Sequence, residues 1–285
     1  MTRTMLNICL LLMISFYSCS DLFEKEVDDY PIPFEVQLVV TAFLMPQDSL
    51  IMVEVRKTYP VDADITGLQQ QGTTSIENAI VIIRTNTSEV EMPYDNRIRK
   101  YVLHQDDFPI ESNGIYFISV TTPDGLSAES VCQIPAASVE EDSINGSLNI
   151  VDDGGVREYF FYVSFPKATD SISYYAILKQ EYRMTNDSVS SISSQEQLEV
   201  IKSSDLIGDY ITSSTFPITP SFAGENYHTE VYVCRTDSSY FQYHQDLNDY
   251  FINTQNPFTE EFNIYTNIDN GRGVFAGLNC TIIRL

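Results

Sequence analysis

The sequence predicts a mainly β protein of two β-sandwich-like domains in tandem, immunoglobulin- or fibronectin-like in style, the second carrying one amphipathic helix. Three observations lead there. Apolar and polar residues alternate over short stretches such as Ile51, Val53, Val55 and Tyr116, Ile118, Val120, which is the period of a half-buried strand. Turn residues separate these stretches, as in Met45-Pro46-Gln47-Asp48, Ser112-Asn113-Gly114 and Pro123-Asp124-Gly125. No amphipathic helix intervenes between successive strands, so neighbours are expected to pair antiparallel.

Residues 1–18 read as a secretory signal. Arg3 supplies one positive charge, Met5 to Tyr17 form an apolar stretch too short to cross a bilayer as a helix, and Ser18 is a small residue before Cys19. Residues 14–19 resemble the bacterial lipobox, whose cysteine thiol takes diacylglycerol before cleavage, although Phe16 and Tyr17 depart from its usual leucine and small residue. Cys19 is therefore expected to be lipidated and to be the first residue of the mature chain. Residues 19–33 form an acidic tether. Its opening, Ser20-Asp21-Leu22-Phe23-Glu24-Lys25-Glu26, looks like the tag that exports Bacteroidetes lipoproteins to the outer leaflet of the outer membrane.

The first domain, 34–134, is expected to contain strands at 35–44, 51–57, 79–84, 97–103, 114–121 and 126–134. The small and polar stretch 135–147 reads as a linker. The second domain, 148–285, is expected to contain strands at 159–165, 173–183, 196–201, 230–235, 261–265 and 274–285. Its helix, about 238–252, starts at Asp237 or Ser238, either of which can cap it. That helix carries Tyr240, Tyr243, Leu247, Tyr250 and Phe251 at helical spacing, a stripe that belongs to the core.

Forty acidic residues against sixteen basic ones give a net charge of −24, one unit more negative once Arg3 leaves with the signal. Such a polyanion is repelled by nucleic acid and by anionic lipid, while basic partner surfaces, cations and neutral ligands remain open to it. Cys132, Cys234 and Cys280 are the cysteines of the mature body. Three thiols cannot all pair internally; Cys132 and Cys280 sit on inward strand phases, and a Cys234–Cys280 disulfide is the pairing left open.

Reactive chemistry leaves little trace. Asp152-Asp153-Gly154-Gly155 lacks the lysine of a phosphate loop, and His104 at a strand end, His228 in a polar loop and His244 on the helix lie in no catalytic or zinc-binding spacing. Asp62 with Asp64, and Asp152 with Asp153, lack the ligand spacing of a calcium loop. No catalytic, cofactor-binding or metal-binding residue is therefore nominated, and no cofactor is expected. Asp48-Ser49-Leu50, Asp142-Ser143-Ile144, Asp170-Ser171-Ile172 and Asp187-Ser188-Val189 resemble the Bacteroidetes O-glycosylation sequon, which nominates Ser49, Ser143, Ser171 and Ser188 for modification.

Near the C-terminus an aromatic helix leads into Asn256-Pro257-Phe258, followed by Asn267-Ile268-Asp269-Asn270-Gly271-Arg272-Gly273-Val274-Phe275. With Leu38 to Ala42, Asn78 to Val81 and Gly114 to Tyr116, these residues resemble the DUF4249 family of Bacteroidetes proteins over nearly the whole mature chain. The resemblance implies a cell-envelope lipoprotein, often linked with TonB-dependent outer-membrane receptors, and supplies no catalytic residue. Asn270, Gly271 and Gly273 suit a tight turn in which the glycines take positive φ.

The expectation is a surface-facing outer-membrane lipoprotein, anchored to the membrane at Cys19 and not an enzyme, that binds or assists within a TonB-dependent nutrient uptake system. The alternative is a structural or adhesive envelope protein without a small-molecule ligand. Nucleic acid is excluded as a partner.

Overall fold

Leu38, Val40, Ala42 and Leu44 alternate with half-buried residues, so β1 (Leu38–Leu44) puts one full face into the core. β2 (Leu50–Lys57) follows through the turn at residues 45–49 and buries Ile51, Val53 and Val55 beside it. The computed structural model describes residues 35–59, 75–153, 156–168, 173–185, 188–192, 195–218, 226–253 and 263–285; Cys19, Asp62, Asp64 and Ser171 lie outside them.

The first half continues with β3 (Ile80–Arg84), β4 (Glu89–Glu91), β5 (Tyr94–Asp95), β6 (Lys100–His104), β7 (Ile115–Thr121) and β8 (Ser127–Gln133). The second half adds β9 (Asn145–Asp153), β10 (Val156–Pro166), β11 (Tyr174–Thr185), β12 (Ser188–Ile192), β13 (Glu196–Lys202), β14 (Tyr210–Thr212), β15 (Phe216–Pro217) and β16 (Asn226–Thr236). Helix α1 (Ser238–Asn253) and β17 (Gly271–Arg284) complete it. The chain is mainly β, as the alternation predicts. Asn113 (φ 62°) and Gly125 (φ 88°) take the left-handed conformations that their turns require.

A nine-stranded sheet runs in the order β12-β11-β16-β17-β1-β2-β6-β5, with β13 also on β11. Smaller sheets, β4-β3-β7-β8 and β14-β10-β15 with β9 on β10, supply the opposing layers. One core lies between β1, β2, β6 and the inner face of β3, β7, β8, and includes Tyr101, Tyr116 and Phe275. A second joins Phe161, Val163 and Phe165 of β10 to Tyr175, Ile177, Val231 and Val233. A third lies under α1, where Tyr240 meets Leu178, Val274, Ala276 and Leu278. On β17, Phe275 and Ile283 share one strand phase and serve the first two cores, while Val274, Ala276 and Leu278 serve the third. The two smaller sheets therefore pack side by side on one face of the long sheet, with the helix on the other.

The sequence reading did not foresee how the halves join. β17 changes neighbour midway: Gly271 to Gly277 pair with Leu38 to Leu44, and Leu278 to Arg284 pair with β16. The β1–β17 pairing is parallel, against the antiparallel expectation, because the strands meet without a tight connection. Residues 35–285 apart from Glu35 form one compact unit. Within the expected linker 135–147, β9 already begins at Asn145, Val139 is buried, and Pro135 O accepts from Asn279 Nδ2 at 2.9 Å. Residues 263–265, expected as the end of a strand, have no ladder partner; Tyr265 N donates instead to Asp246 Oδ2 of α1 at 2.7 Å.

Cys234 and Cys280 lie opposite each other in register and are disulfide-bonded. Cys132 is free and buried, and burial together with the nearby Asp237 charge pushes its thiol well up, so it stays protonated and packs as a small apolar residue.

Candidate functional site

Alternation on β3, β7 and β8 buries Val81, Ile83, Tyr116, Ile118, Val120, Ala128 and Cys132, and a solvent-facing strand phase is ordinarily polar. Here it is not. Ile80, Ile115 and Val131 are 43–50% exposed on the outer phase, with Ile82 and Phe117 between them. Strand register sets Phe117 directly between Arg84 and Val131, and the Arg84 guanidinium lies 4.2 Å from the Phe117 ring centroid. Such a stack contributes about 0.5–1 kcal/mol at an exposed site and holds the arginine over the apolar surface.

Two grooves open at the β8 side of this face and share Val131 and Ser239. One, of about 700 Å³, runs between Ile115, Val131 and Gln133 on one wall and Tyr174 and Asp237 on the other. The other, of about 640 Å³, is lined by Arg84, Phe117, Glu129, Asn267 and Asp269 among others. Both are open troughs along a sheet edge, suited to a surface rather than to an enclosed small molecule.

The acidic group in the larger groove has a structural duty. Asp237 caps α1 by accepting from Tyr240 N at 2.8 Å, and its second oxygen accepts from Gly277 N at 2.9 Å, while its own N–H donates to Gly277 O at 3.0 Å. Burial raises its carboxyl to about 6 against the pull of these backbone donors. Asn267 does the same two residues earlier on β17: Phe275 N donates to its Oδ1 at 3.0 Å and its Nδ2 donates to Phe275 O at 2.7 Å. On the opposite edge Cys280 N donates to Gln47 Oε1 at 3.2 Å. Three side chains thus satisfy the backbone of β17 where it lacks a neighbouring strand.

The C-terminal signature is explained by this packing. Ile268 and Phe275 enter the first core, Asn270 takes φ 57° and Gly273 takes φ 103°. Gly271, expected at positive φ, does not adopt it; space constrains it instead, since an added Cβ would lie 2.9 Å from both Leu38 O and Ile268 Cγ2.

The remaining sequence candidates do not converge on one place. His104 is exposed at the end of β6. His228, expected in a loop, belongs to β16 opposite Tyr182. His244 sits among Phe43, Tyr240 and Tyr243, and burial lowers it to about 4, so it is neutral at physiological pH. Asp152 pairs with Arg157 at 3.2 Å. Ser49 is exposed before β2, Ser143 Oγ donates to Glu140 O at 2.6 Å, and Ser188 opens β12. Among the described residues no group of three or more histidine, cysteine or acidic side chains is placed to hold a metal ion, and no helix is long and apolar enough to cross a membrane.

The exposed face was missed at the sequence level although a signal existed. Ile80 with Ile82, and Ile115 with Phe117, put large apolar residues on the strand phase opposite the core, where a one-sided sheet carries polar ones.

A family model described as "Domain of unknown function (DUF4249)" matches residues 21–283. No curated protein matches. A solved structure described as "Cytokine receptor complex - Crystal form 2" aligns at 13% identity over 69% of this chain and 89% of that chain, with a TM-score of 0.23, too low for any functional argument.

Proposed function

Because the chain belongs to the DUF4249 family, we propose that it is a surface-facing outer-membrane lipoprotein, held by Cys19, that serves by non-covalent docking as an accessory component of a TonB-dependent nutrient uptake system. One observation carries the docking part: the apolar cluster of Ile80, Ile82, Ile115, Phe117 and Val131 on the outer face of β3, β7 and β8, with Arg84 stacked on Phe117 and troughs at its edge. An exposed apolar face of this kind marks an interaction surface. The lipobox-like Cys19 and the acidic tether support the location. A tether of about fifteen residues keeps the body within a few tens of ångströms of the membrane, which raises the effective concentration of any membrane-bound partner. The acidity of the body favours a basic docking surface and an association that weakens with salt.

Cross-linking in intact cells is the test. A photoreactive residue at Val131 is expected to enrich a TonB-dependent receptor over one placed at the exposed Asp205. Recovery of lipid-neighbour background alone from both positions would replace this reading with a structural or adhesive envelope protein.

A further inference from the structure

We propose that the outer edge of β9 is a strand-addition site for an extended segment that is apolar at its centre and basic at both ends. β9 pairs with β10 through all nine of its residues, from Asn145↔Ser164 to Asp153↔Val156, and no other described strand pairs with it. A strand with one paired edge carries a row of N–H and C=O groups on the other, and that row is completed by another strand.

The side chains along this edge fit such an addition. Leu148, Ile150 and Val151 are 47–56% exposed. Leu148 stands opposite Phe161, which is buried in the second core, and Ile150 opposite Tyr159. One further strand would extend the apolar layer that Phe161 begins and would cover Leu148 and Ile150.

Charge selects the occupant. Exposed Glu140, Glu141 and Asp142 lie in the short turn that leads into β9, and exposed Asp152 stands at its far end, with Arg157 against it as the local cation. Acid at both ends favours lysine or arginine at both ends of the added strand, whichever direction it runs. A second copy of this chain brings the same acid and a net charge of −24, so self-pairing at this edge is opposed. The site is separate from the β3-β7-β8 face and does not depend on the membrane reading.

The test uses the full mature chain and a fluorescein-labelled nonapeptide, Lys-Arg-Val-Thr-Val-Thr-Val-Arg-Lys, followed by fluorescence anisotropy. Saturable binding is expected at low salt. The same peptide N-methylated at its five central residues keeps its charge but loses its backbone donors, and is expected to bind at least tenfold more weakly. Amide exchange at residues 146–152 is expected to slow on peptide binding. Ile150→Lys, at a half-exposed position, is expected to remove binding while circular dichroism stays unchanged. Equal binding of the two peptides would overturn the proposal, as would protection elsewhere on the chain, undiminished binding to a folded Ile150→Lys, or a concentration-dependent dimer that this variant abolishes.

Discussion

Gly273→Ala is expected to destabilise the protein by more than about 3 kcal/mol, a large fraction of the stability of an ordinary domain. Two costs add. At φ 103° an L-residue pays about 1–2 kcal/mol in backbone conformation alone. An added Cβ would also stand 2.1 Å from Val40 O and 2.9 Å from Val40 C, and these are backbone atoms of the neighbouring strand that cannot rotate away. Relieving the contact means pushing β1 and β17 apart, which opens the sheet that unites both halves. Gly125→Ala is the matched control: its φ of 88° is similarly strained, yet nothing lies within 4 Å of the added Cβ. Denaturant melts should place it within about 1–2 kcal/mol of the parent chain. Equal losses at the two positions would show that conformation, and not the approach of β1, governs Gly273.

Cys19→Ala is expected to abolish fatty-acid labelling and to move essentially all of the protein from the membrane to the soluble fraction. The thiol is the proposed attachment point, and each buried acyl methylene contributes about 0.8 kcal/mol of membrane affinity, so that two or more chains anchor stably. The variant's thermal unfolding should match that of the parent body, since Cys19 precedes the compact unit that begins at Val36. Labelling that persists in the variant would remove the basis for membrane tethering.

Much of the architecture was legible because it is local. Alternation located β1, β2, β7 and β8 within a residue or two at most boundaries, and the aspartate before an aromatic stripe located α1 to within a residue at each end. β5, β14 and β15, of two or three residues each, are too short to show a period. The β1–β17 pairing was invisible for a different reason: Leu38 and Gly271 are neighbours only in space, and nothing in either segment names the other. Residues 263–265 read as strand from their composition, but the helix carboxylate of Asp246 took the Tyr265 N–H that a ladder would have used. At the exposed outer face Ile80, Ile115 and Phe117 stand in the sequence; which strands lie side by side, and so join these residues into one surface, is set by the register of β3, β7 and β8.

The position of β17 also governs when this protein can fold. A chain exported in an extended state emerges N-terminus first, and β1 must wait for a partner that arrives more than two hundred residues later. Until then the first core lacks Phe275 and the second lacks Ile283 beside it. Each core is complete only once these residues arrive. Such dependence on distant contacts slows folding, because the entropy of closing the loop is lost before the contacts that offset it form. The arrangement couples completion of the fold to arrival of the last strand, so that truncation before Gly271 is a defect for both halves at once.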